Sequence, residues 1–153
     1  MPDLTPHSLS HLLTDLIGRK VTSVRIISGS ETKLRQAYGV YTDSRNEKTF
    51  VVKADLLLLG SLVGALVGLP DSEVRSRLSG TLIEELFRDA IFEVLNVASS
   101  VIDPGGQAIL VKMSMDTSDL ADAAKQIVVK PNHKIDFDVS VEGYQGGRLT
   151  VLS

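Results

Sequence analysis

Cysteine is absent from the 153-residue sequence, which excludes disulfides, thiolate metal sites and a cysteine nucleophile and is compatible with a reducing, cytoplasmic setting. An excess of positive charge is missing too, since 16 Lys and Arg stand against 19 Asp and Glu for a net charge of -3. That balance supplies no basic patch, so nucleic acid is not an expected partner. The opening stretch MPDLTPHSLSHLL lacks the basic start and apolar centre of a secretory signal. No apolar run approaches the roughly 20 residues that span a bilayer. The longest, Asp55 to Gly68, is closed by Pro70 and Asp71, so a membrane is not expected either. No serine sits in a G-x-S-x-G elbow, and the glycines between Gly143 and Gly147 lack the Lys-Ser/Thr of a phosphate loop. Solenoid repeats, low-complexity tracts and dividing linkers are also missing.

What is present suffices for one domain, residues 1–153, with an apolar core. Leu9, Leu12, Leu13, Leu16 and Ile17 recur at helical spacing and predict a helix from Pro6 to Ile17, with Thr5 or Ser8 as cap and Gly18 as stop. Val21, Val24, Ile26 and Ile27 predict a strand broken at Gly29. Leu34 to Thr42 and Thr49 to Lys53 predict two more, joined by a turn at Asp43-Ser44-Arg45-Asn46. Asp55 to Gly68 reads as a buried helix with Asp55 as N-cap. Gly60, Gly64 and Gly68 share one face, where the backbone of the sheet or of the long helix that follows can come close. DSEVRSRL is a turn or two of exposed helix, or a charged loop.

Beyond residue 102, Asp103-Pro104-Gly105-Gly106 marks a turn, Gln107 to Met115 a strand, Ser118 to Lys125 a short helix capped by Ser118, and Ile127 to Val129 a short apolar run. Lys134 to Val141 alternates, with Ile135, Phe137, Val139 and Val141 on one side, and Gly143 to Gly147 turns the chain into a last strand, Arg148 to Leu152. This order favours an α+β architecture, a mainly antiparallel sheet with helices packed on one face.

The stretch Ser79 to Ile102 organises the rest. At about 100° per residue, Ile83, Phe87, Ala90, Val94, Val97, Ala98 and Val101 form an apolar stripe. Opposite them Glu85, Asp89, Glu93, Asn96 and Ser100 form a polar ridge with Phe92 in its middle. Ser79 is placed to cap this helix, with Glu84 and Glu85 near the positive end of its dipole. An ordinary solvated helix face mixes Lys and Arg into such a ridge for pairing; this one carries carboxylates and an amide.

Asp89-x-x-x-Glu93-x-x-Asn96, in a helix that reads E-V-L-N-V, follows an apolar helix opened by Ala-Asp and precedes a run of strands. This pattern resembles the CheC/CheX family, bacterial phosphatases that dephosphorylate the response regulator CheY, and the likeness in element order covers most of the chain. It implies a CheX/CheC-like fold, chemotaxis signal transduction, hydrolysis of a phosphoaspartate on a receiver domain, and a homodimer formed through sheet edges, for which the C-terminal hairpin is the expected edge. By the same resemblance Asn96 orients the attacking water and Glu93 pairs with the regulator's active-site lysine, while Asp89, Phe92 and Ser100 contact the partner. The regulator supplies the metal ion and the phosphoaspartate, so the chain needs no cofactor of its own. An amide suits the task because it donates and accepts hydrogen bonds without titrating, and positioning dominates phosphoryl transfer.

The sequence departs from the family pattern in one place. A proline commonly follows well downstream of the asparagine; the matching spacing falls near Asp119, while Pro104 is too close and Pro131 too far. The ridge therefore also fits a non-catalytic CheC/CheX-fold interaction module in signalling, or a domain that oligomerises structurally and binds no regulator. His7 and His11 lie four apart but have no third ligand nearby, His133 being distant, so they read as surface histidines and no metal site is expected.

Overall fold

The computed structural model describes residues 4–27, 34–43, 45, 47–80, 83–102 and 108–153. Helix α1 (Pro6–Ile17) begins in a capping box: the Thr5 hydroxyl accepts from the Ser8 N–H and the Ser8 hydroxyl from the Thr5 N–H, each at 3.1 Å. Gly18, at φ 71°, ends it in the left-handed region. Strands β1 (Val21–Ile26), β2 (Gln36–Asp43) and β3 (Lys48–Asp55) follow, then α2 (Leu56–Val67), α3 (Asp71–Leu78), α4 (Glu85–Ile102), β4 (Ile109–Ser114), α5 (Asp122–Val129), β5 (Lys134–Val141) and β6 (Gly147–Leu152).

The strands form one six-stranded sheet in the order β1-β5-β6-β3-β2-β4, with every neighbouring pair antiparallel. Alternation turns Ala37, Tyr41, Phe50, Val52, Phe137, Val139, Leu149 and Val151 toward the main core. Leu9, Leu13 and Ile17 of α1, most of α2, and Phe87, Ile91, Val94, Leu95, Ala98 and Ile102 of α4 fill that core from above. Val40, Val51 and Leu152 face the other way and pack with Leu120 and Ala124. The fold is thus α+β with its helices gathered on one face, and the short α5 covers part of the second.

Several local expectations need correction. The long helix starts at Glu85 rather than Ser79, because α3 ends at Leu78 and its buried Val74 and Leu78 pack on α2. Ser79 lies six residues before the start of the helix, and its hydroxyl donates back to the Ser76 carbonyl at 2.7 Å. Arg35 bridges the break, its Nη1 donating to the Leu78 and Gly80 carbonyls at 2.7 and 3.0 Å. Ile83 consequently lies off the helix, Ala90 and Val97 are only half-buried, and Ile91, Leu95 and Ile102 complete the buried stripe.

Asp55 holds the N-cap position of α2 but makes no capping bond, because its carboxylate is used by the Arg148 N–H and the Gln36 amide. Side chains of α3 fill the space left by Gly60, while Gly64 faces Val74 of α3 together with the Tyr144 ring and the Leu69 carbonyl, and Gly68 has open space beside it. Ser118 does not cap α5; Asp116 accepts from the Ser118 N–H to close a 3-10 turn, Thr117–Asp119, and Ala121 precedes the helix. The C-terminal hairpin lies inside the sheet, paired to β1 and β3, so the edges are β1 and β4. Gly29, Ser44, Asn46, the Asp103 to Gly106 turn and the side chain of Val101 lie outside the described residues.

Candidate functional site

The seat of α4 explains what its outer face can do. Gly39 of β2 leaves room for the helix: a Cβ there would meet Leu95 Cδ1 at 3.4 Å and Leu110 Cδ1 at 3.2 Å. Beside it the buried Tyr41 donates its hydroxyl to the Leu95 carbonyl at 2.5 Å. Burial pushes the Tyr41 phenol well up, so it stays protonated and remains a donor. One residue further along the helix is Asn96.

With the apolar stripe held inward, the ridge faces water. Glu85, Asp89, Glu93, Asn96 and Ser100 are all exposed, and Phe92 is half-buried against the main core. Among the described residues no ion pair involves Glu85, Asp89 or Glu93, and the Asn96 amide makes no hydrogen bond. Ser100 is engaged, donating to the Val97 carbonyl at 3.1 Å, and Glu84, just before the helix, lies 3.3 Å from Arg77. A carboxylate and an amide therefore stand about one helical turn apart with free hydrogen-bonding capacity, a pair able to hold a cationic group and a water molecule side by side.

Asp89 and Phe92 also border a groove of about 530 Å3 between α4 and β4, which Ile83, Glu85, Arg88 and Met113 complete. Glu93, Asn96 and Ser100 lie outside its lining. Arg88 and Met113 were not singled out from the sequence. Arg88 stands directly before Asp89 and interrupts the acidic run, a signal open to inspection; Met113 arrives from β4, and nothing in one dimension links it to α4.

Asp119, where the family's proline is missing, ends the 3-10 turn and accepts from the Ser114 hydroxyl at 3.3 Å. The His7 and His11 rings meet edge to face at 6.2 Å, and His11 Nδ1 lies 3.2 Å from Asp15. Among the described residues no group of three or more His, Cys, Asp and Glu is placed to hold a metal, and no helix is long and apolar enough to cross a membrane.

No protein-family profile and no curated protein matches the sequence. Solved structures do. FliY of Thermotoga maritima aligns with a TM-score of 0.65 at 15% identity, over 99% of this chain and 85% of that one. The FliM middle domain of Helicobacter pylori aligns at 0.61 and 12% identity, over 98% and 85%. A putative chemotaxis protein of Desulfovibrio vulgaris Hildenborough aligns at 0.55 and 13% identity, over 95% and 89%. At such identities the likeness is one of fold, and the fold of this chain is the CheC/CheX fold toward which the helix motif pointed.

Proposed function

We propose that the protein is a CheX-like phosphatase acting on the phosphoaspartate of a response-regulator receiver domain. The observation that carries this reading is the exposure of Glu93 and Asn96 together on the crest of a helix pinned to the sheet from below. In the reaction the Asn96 amide orients a water whose oxygen attacks phosphorus; the bond from phosphorus to the aspartyl oxygen breaks, releasing phosphate and a free carboxylate. Glu93 pairs with the regulator's lysine and fixes the inserted helix, and Asp89, Phe92 and Ser100 complete the contact. The metal ion and the phosphoryl group come with the regulator, and this chain contributes alignment. A cytoplasmic homodimer belongs to the same proposal. Edge strand β4 supports the dimer, for Ile109 and Val111 are 61% and 51% exposed there.

The test is the decay of a phosphorylated receiver domain alone, with the native protein, and with Asn96→Ala. Faster decay that falls about 100-fold on removal of the amide is the expected result. Equal decay with native protein and variant would leave only docking. That second reading, a non-catalytic signalling module, draws support from Asp119 standing where the family has proline. The fold likeness extends, moreover, to a Helicobacter pylori structure solved as a FliG–FliM complex.

A further inference from the structure

The groove beside the ridge extends past the residues that the phosphatase reading uses. Its first part, about 530 Å3, and a second depression of about 360 Å3 share Ile83, Arg88 and Met113, which makes them one trough from α4 to the sheet edge. The floor is apolar, formed by Ile83, Phe92 and Met113, each half-buried on the main core. Three cations line the trough, and two are committed: Arg35 to the Leu78 and Gly80 carbonyls, and Lys112 to the Asp119 carbonyl. The carboxylates at its far end are engaged as well, Asp116 by the Ser118 N–H and Asp119 by the Ser114 hydroxyl. Arg88 differs. Its exposed guanidinium makes no hydrogen bond and no ion pair among the described residues, although Glu85 and Asp89 line the same groove.

We propose that this trough is a second contact for the receiver domain docked on the ridge, with Arg88 taking a carboxylate of that domain and the Ile83, Phe92 and Met113 floor taking an adjacent apolar side chain. The inference rests on the receiver-binding reading of Glu93 and Asn96. Charge complementarity supports it: at about 100° per residue Glu85, Asp89 and Glu93 gather along the ridge while Arg88 stands on its flank, where the second depression opens without Glu85 or Asp89 in its lining. The surface thus asks for a partner with a cation facing the ridge and an anion facing the trough, in that order. A carboxylate fits the planar guanidinium fork in two parallel hydrogen bonds. A receiver presenting the reverse order meets like charges at both points, so the pair selects among regulators as well as binding one.

The experiment titrates the intact protein against a panel of CheY-type receiver domains activated with beryllofluoride, using native chain, Arg88→Glu, Arg88→Ala and Arg25→Glu. Arg25 lies on β1, at the opposite edge of the sheet, and serves as the charge-matched control. Expected is a Kd for the preferred receiver raised about tenfold or more by Arg88→Glu, raised less by Arg88→Ala, and moved less than twofold by Arg25→Glu. Native affinity in both Arg88 variants, with dephosphorylation still lost in Asn96→Ala, would overturn the trough contact and leave the phosphatase reading standing. Failure of the native protein to bind any receiver overturns both. Conversion of the protein alone from dimer to monomer by Arg88→Glu would assign the trough to a second copy, and likewise overturns the proposal.

Discussion

The Tyr41 hydroxyl donates to the Leu95 carbonyl at 2.5 Å, joining β2 to the turn of α4 that carries Asn96. The phenol is fully buried and this is its polar anchor, so Tyr41→Phe keeps the shape and removes one bond. We expect a loss of about 1 kcal/mol, or about 3 °C in thermal midpoint. Faster amide exchange confined to the Leu95 to Ser99 turn accompanies it. An unchanged midpoint and unchanged exchange would show that apolar packing alone seats the helix.

The pairing of α2 with α3 makes two glycines unequal. A Cβ at Gly60 would lie 2.4 Å from Leu78 Cδ1, the far end of a flexible side chain, with Val74 Cγ1 farther off at 3.0 Å. A Cβ at Gly64 would lie 2.4 Å from the Val74 Cγ2, with the Tyr144 ring at 3.0 Å and the Leu69 carbonyl at 3.3 Å. Val74 is stiff at χ1 and cannot swing aside. Both changes to Ala destabilise, Gly64→Ala by more, in the range of about 1–3 kcal/mol for overpacking. Denaturant melts of the two variants check the order.

Asp55 is buried, with 3% exposure, and its Oδ2 accepts from the Arg148 N–H at 2.8 Å while Oδ1 accepts from the Gln36 amide. Asp55→Ala takes the acceptor from the Arg148 N–H at the junction of β3, β6 and α2 and leaves the Gln36 amide with the Leu34 carbonyl, to which it also donates at 3.2 Å. A loss of about 1–3 kcal/mol follows from leaving a buried donor unpaired, read as a lower midpoint in urea with an unchanged slope. A loss below about 0.5 kcal/mol would mean that water reaches these groups.

The Asp116 carboxylate closes the 3-10 turn, and hydrogen bonds from the Ser118 backbone and then its hydroxyl hold its pKa below the ordinary aspartate value. A depressed carboxyl contributes fully above its unfolded pKa and loses that contribution as pH falls through the folded one. The turn therefore keeps its bond at neutral pH. In an NMR titration the Ser118 amide should shift with a midpoint below the ordinary aspartate range, and the step should vanish in Asp116→Ala. A midpoint at or above that range contradicts the hydrogen-bond account.

Opposite faces of α4 should respond differently to truncation. Leu95→Ala opens a cavity in the main core and costs about 2–5 kcal/mol. Glu93→Ala and Asn96→Ala remove exposed groups without partners among the described residues and stay within about 0.5 kcal/mol of native stability. Thermal melts measured beside the receiver assays separate a working pair from a structural one: marked destabilisation by either ridge variant would tie that side chain to the fold.

Sequence alone determined the elements whose signals are local. The Thr5 and Ser8 box, Gly18 and the leucine spacing delimit α1 residue for residue, and the alternation of Lys134 to Val141 delimits β5 just as closely. The polar ridge was equally legible, because residues three and four apart on a helix share a face whatever it packs against. Tertiary structure decided the rest. Leu78 ends α3 and Glu85 begins a new helix where Val74 and Leu78 pack on α2 and Arg35, 43 residues away in sequence, takes up the Leu78 carbonyl. Asp55 lost its capping role to a β6 amide 93 residues distant, and the C-terminal hairpin lost its edge when β1 and β3 paired on either side of it. Helical and strand periods are written in neighbouring residues; strand order, orphaned carbonyls and the walls of a trough depend on which distant segments meet, and burial enforces that only once the whole core has closed.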